Sequence, residues 1–157
     1  MVTALATEKL FANCSIESFI HMPAAGTTEQ SVKAGTTATT WRAMRDYEGF
    51  AVIAVQGVLG GNGMIELSIY AATDASATAA TEIKTTGVIA CDAIGDYAVL
   101  EVSMEEVEQI GIAAGYHFTH VTAYIDSHHA DDEQGVTYIR YGCKRPHLAL
   151  TATTISA

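Results

Sequence analysis

From residue 41 onward the apolar positions recur at spacings that suit strands. Residues 50–56 (FAVIAVQ) form a short apolar run rich in β-branched side chains, which predicts a buried strand. Residues 64–70 alternate at their centre, with Ile65, Leu67 and Ile69 on one side and Glu66, Ser68 and Tyr70 on the other. Gly60, Gly61, Asn62 and Gly63 lie between and tolerate positive φ, so the two runs read as a hairpin. Further strands are predicted at residues 87–91 and 97–102, with a turn over 92–96. Two long strands follow at 116–125 and 136–143. In the first, Phe118, His120, Thr122 and Tyr124 face one way and His117, Thr119, Val121, Ala123 and Ile125 the other.

One stretch breaks this period. Ser103 followed by Glu106 makes a capping box, and Glu105 and Glu106 fall in a first turn, where the helix dipole favours negative charge. These signals predict a helix over 104–110, ended by Gly111. Residues 71–86 are dense in Ala, Thr and Ser and read as a connecting loop. Residues 8–20 fit a short helix or two short strands. Residues 27–40, whose only large apolar side chain is Val32, read as an extended arm. Leu148 and Leu150 close the apolar pattern. The expected fold is all-β: an antiparallel β-sandwich, jelly-roll-like, with one short helix. Residues 1–40 are its N-terminal arm or irregular segment, and residues 41–157 the sandwich domain.

Composition sharpens this picture. A chain of 157 residues suits one domain whose core needs no disulfide support. Eight basic against 18 acidic residues give a net charge of −10, which argues against nucleic acid or an anionic membrane as partner. Cys14, Cys91 and Cys143 are widely spaced and odd in number, as expected of thiols folded in a reducing cytoplasm. The first residues lack the basic and apolar segments of a leader, and no apolar run approaches the roughly 20 residues of a membrane span. Between Lys84 and Arg140 there is no lysine or arginine, while ten of the 18 acidic residues fall there, from Asp92 to Glu133. Such sorting suits either a solvated acidic surface or an acidic face that meets a basic neighbour.

The densest candidate chemistry lies at residues 126–134. Asp126, His128, Asp131, Asp132 and Glu133 offer carboxylates for Ca²⁺ or, with imidazole, donors for a borderline metal. The spacing does not match an EF-hand, and a solvated hairpin tip is the plainer reading. His117 and His120, three apart on a strand, fall on opposite faces and do not converge. Nucleophile-elbow, zincin, Walker and dinucleotide motifs are all missing, so neither catalytic residues nor a cofactor are expected. Trp41, Tyr116, Tyr124, Tyr138 and Tyr141 are candidates for a subunit interface or a sugar-stacking platform; equally, they are ordinary filling of strand faces.

The order of Asp74-Ala75-Ser76, residues 96–102 (DYAVLEV), 116–121 (YHFTHV) and 138–142 (YIRYG) resembles small structural proteins of tailed bacteriophages. The resemblance implies a non-enzymatic β-sandwich that decorates or cements the capsid. Its partners would be the major capsid protein or other virion subunits and further copies of itself, a trimer for example. Its location would be the virion, after synthesis in the host bacterial cytoplasm. The alternative, from another class, is a lectin-like carbohydrate-binding module such as a phage fibre carries.

Overall fold

The computed structural model describes residues 14–21, 41–61, 63–129 and 131–143. Its elements, in chain order, are β1 (Cys14–His21), β2 (Arg42–Ala43), β3 (Gly49–Val58), β4 (Met64–Ala72), β5 (Thr81–Ala90), β6 (Tyr97–Ser103), α1 (Met104–Ala114), β7 (His120–Asp126) and β8 (Glu133–Tyr141). The strands form two four-stranded sheets, ordered β1-β8-β3-β6 and β2-β7-β4-β5. Every pairing is antiparallel and the pairs are nested: β4 with β5, β3 with β6, β2 with β7, β1 with β8. That is the order of a long hairpin rolled over itself, a jelly roll.

Alternation assigns the core. Phe50, Val52 and Ala54 of β3 point inward, as do Ala98, Leu100 and Val102 of β6 and Val136 and Tyr138 of β8. They meet Ile65, Leu67, Ile69 and Ala71 of β4 and Val121, Ala123 and Ile125 of β7. Phe50 and Tyr138 pack edge to face with centroids 5.4 Å apart. Each large apolar side chain fully removed from water here is worth about 1.5–3 kcal/mol. One open side of the sandwich is closed by charge: Arg42 meets Glu17 at 2.6 Å, and Arg140 approaches the same carboxylate at 3.4 Å. Arg140 also lies 4.7 Å over the Tyr47 ring. These two arginines are committed within the chain, so they do not supply a basic face for a neighbour.

Several expectations shift. β1 lies inside the segment set aside as an arm, yet it pairs with β8 along its whole length. For those eight residues the boundary at 41 separates nothing. β5 starts at Thr81, within the stretch read as a loop, because Thr81 and Ile83 alternate with exposed Glu82 and Lys84. α1 runs past Gly111 to Ala114 and ends at Gly115, whose φ of 79° is left-handed. Residues 116–119 then leave the helix without strand pairing, with Tyr116 N–H bonded back to the Gly111 carbonyl at 2.8 Å, so β7 begins only at His120. The expectations for residues 27–40 and for Leu148 and Leu150 lie outside the described residues. Among the described residues, no helix is long and apolar enough to cross a membrane.

Candidate functional site

The loop between β7 and β8 sends its candidate ligands in different directions. Asp126 ends β7 on the outer face of its sheet, directly opposite Glu66 of β4. It is only 4% exposed, and its Oδ1 accepts the His128 N–H at 2.9 Å. The chain reverses there, with His128 at a φ of 53°, and swings the imidazole back over the sheet. His128 Nε2 reaches 3.5 Å from Glu66 Oε2. Ligand atoms of Glu66, Asp126 and His128 all lie within 4.8 Å of one another. Tyr124 donates its hydroxyl to Asp126 Oδ2 at 3.5 Å, and Thr85 donates to Glu66 Oε1 at 3.3 Å. His128 Nε2 is shielded from solvent and has no hydrogen-bond partner.

The remaining members of the loop do other work. Asp132 is buried and accepts the Gly60 N–H at 2.5 Å. Beside it, Gln134 Nε2 donates to Gln56 Oε1 at 3.1 Å. Asp131 is exposed, and Glu133 opens β8 opposite Val58. The His129 ring lies against Gly60 and Gly61, where an added Cβ would stand 2.5 Å from a ring nitrogen. Those glycines therefore serve a close approach, while positive φ falls at Gly63. Of the five predicted ligands only Asp126 and His128 come together, and their partner Glu66 carried no signal in the sequence. It is brought in by cross-strand register alone.

The other candidates separate as well. His117 and His120 share one cleft of about 490 Å³, lined also by Met44, Arg45, Met104 and Glu108. They share it because residues 116–119 are not a strand. Trp41 and Tyr138 are buried, with Tyr138 donating its hydroxyl to the Ala123 carbonyl at 3.2 Å. Tyr116 is exposed and stacks on Phe118 beside the helix end. Tyr124 stands on the β4–β7 outer face, 6.3 Å from the Tyr70 ring. Tyr141 is on the opposite sheet and donates its hydroxyl to Glu101. The five predicted aromatic residues do not make one platform.

The two outer faces differ in character. The register of the β1-β8-β3-β6 sheet sets Ile16, Ile139, Ala51 and Glu101 in one row and Ser18, Thr137, Ile53 and Val99 in the next. Gly135, Val55 and Tyr97 follow in a third. Val55, Val99 and Tyr97 are 39%, 48% and 68% exposed. Glu101, the one ionisable carboxylate in these rows, is occupied by Tyr141. The other sheet turns outward Thr122, Tyr124 and Asp126 of β7 and Glu66, Ser68 and Tyr70 of β4.

No family model matches this sequence, and no curated protein matches it either. Among solved structures it is similar to a chain from Bacillus endospore appendages, described as forming a novel family of disulfide-linked pili. Identity is 15% over 91% of this chain and 98% of that chain, with a TM-score of 0.35.

Proposed function

We propose that this chain is a non-enzymatic structural subunit of a tailed-bacteriophage virion, of the capsid decoration or cement type. The observation that supports this reading is the outer face of the β1-β8-β3-β6 sheet. A solvated face of an antiparallel sheet is ordinarily polar. Here three consecutive cross-strand rows are dominated by Ile, Val, Ala and Tyr, with three of those side chains at least 39% exposed. Contiguous apolar surface of this kind marks protein contact, and tyrosine is favoured at the centre of such contacts. The occupant that fits is an apolar, weakly charged patch on a capsid subunit. Because each copy carries a charge of −10, copies repel one another at a distance, and the apolar face must carry the docking. Many copies on a symmetric shell multiply a modest contact. Jelly rolls occur in capsid and lectin domains, which is fold-level analogy and adds only that the architecture is compatible.

The test is co-sedimentation of the purified chain with undecorated capsids. Because β1 is part of the sheet, deleting residues 1–40 would remove a strand, so surface substitutions are the cleaner probe. Val55→Lys and Val99→Lys are expected to weaken the affinity for capsids at least tenfold, roughly 1.4 kcal/mol, read from binding isotherms. Unchanged affinity would remove this face from the reading, and failure of the unaltered chain to bind would remove the virion role. A trimer or larger assembly on size-exclusion chromatography is the expected companion result.

A second reading, a glycan-binding module, draws on the opposite face. There Tyr70 and Tyr124 lie together among Glu66, Glu82 and Asp126, a mixture of ring faces and carboxylates that suits sugars. A glycan array decides it: binding that Tyr124→Ala abolishes supports this module, and an empty array sinks it.

A further inference from the structure

We propose that Glu66, Asp126 and His128 bind a divalent transition cation of the Zn²⁺ class, which ties the β7–β8 loop to β4. Two carboxylates and one imidazole are the donor mixture that borderline cations take, whereas Ca²⁺ asks for six to eight oxygens. Among the described residues, neither Glu66 nor Asp126 has a lysine or arginine partner. Tetrahedral Zn²⁺, at roughly 2.0–2.1 Å from each ligand, sets ligand atoms about 3.3–3.4 Å apart. His128 Nε2 and Glu66 Oε2 already stand at 3.5 Å, and all three donors fall within 4.8 Å.

The environment of the imidazole nitrogen points the same way. His128 Nε2 is sealed from water, lacks a hydrogen-bond partner and faces the carboxylates. Buried polar atoms in folded chains are paired, and a cation between this nitrogen and the carboxylates pairs it. Supporting contacts are already in place. Tyr124 donates to the Asp126 carboxylate and Thr85 to that of Glu66, the kind of hydrogen bond that holds a metal ligand in its orientation. Asp126 also fixes the backbone of His128, so two ligands are set by one turn.

The experiment is calorimetric titration of tag-free, chelator-stripped protein with ZnCl₂, read together with the melting temperature. One Zn²⁺ per chain and a rise in Tm are expected. Glu66→Gln and His128→Ala should each weaken binding at least tenfold, while His117→Ala and Asp131→Asn leave it unchanged. Co²⁺ in place of Zn²⁺ should give visible absorption bands that His128→Ala removes. Circular dichroism checks that each variant folds; Asp126→Asn, which keeps an acceptor for the His128 N–H, asks the same question should His128→Ala fail to fold. Absence of saturable Zn²⁺ binding overturns the proposal. So does an affinity that these substitutions leave untouched, or one that Ca²⁺ matches without need of His128.

Discussion

Three tyrosines hold their protons more tightly than free phenols do. Burial comes first for all of them, and carboxylates at Glu82 and Glu101 reinforce it for Tyr70 and Tyr141; each is pushed up to about 12 from 10.0. A raised value means the folded chain binds these protons better than the unfolded one. Their contribution is therefore fully present below pH 10 and is lost as pH climbs toward 12. The denaturant midpoint should hold up to about pH 10 and then fall steeply. Absorbance at 295 nm should show Tyr70, Tyr138 and Tyr141 ionising only as pH nears 12. A single titration of all seven tyrosines near pH 10 with the fold intact would contradict this. At this scale the sequence was only partly legible. Alternation put Tyr138 on one face with Val136 and Tyr141 on the other. Which face was core stayed hidden, because Ile139 and Thr137 make the outer one nearly as apolar. Glu66 was out of reach for a different reason: its partners come from another strand, and no local pattern encodes a register.

α1 sets helix propensity against packing. Ser103 accepts the Glu106 N–H at 3.2 Å while Glu106 accepts the Ser103 N–H at 2.8 Å, and the latter bond holds the Glu106 carboxyl below its usual range. Ser103→Ala should cost about 1 kcal/mol in chemical denaturation. Gly111→Ala, on propensity alone, would stabilise by up to about 1 kcal/mol. The added Cβ, however, would stand 2.8 Å from the Tyr116 carbonyl oxygen and 3.1 Å from the Phe118 ring. Backbone cannot yield as a side chain does, so this variant should be less stable than the parent; a rise in its midpoint would mean the 116–118 turn gives way freely. Here lies the reason the helix start was legible and its end was not. A capping box is local chemistry, whereas a glycine retained for a close approach has the same appearance in the sequence as one that ends a helix.

Across the whole molecule, stability and contact surface are separable. Val55 and Val99 point away from the core, so lysine at either position should leave the isolated chain within about 0.5 kcal/mol of the parent, measured by urea denaturation. A loss of assembly would then not be a loss of fold. The sandwich itself was readable from six runs of strand-like spacing, since local alternation survives into the sheets. The membership of β1 was not, because its apolar spacing has no clean period and its pairing depends on a strand at the far end of the domain. That nesting has a kinetic consequence. As the chain leaves the ribosome, β4 and β5 can pair almost at once, but β1 emerges early and its partner β8 emerges late. During that interval Ile16 and the backbone groups of β1 wait uncovered, since loop closure over so long a separation is slow. A strand kept waiting accepts whichever matching edge arrives first. In a crowded cell, that edge can belong to another newly made copy, so strand exchange between chains competes with each chain closing on itself.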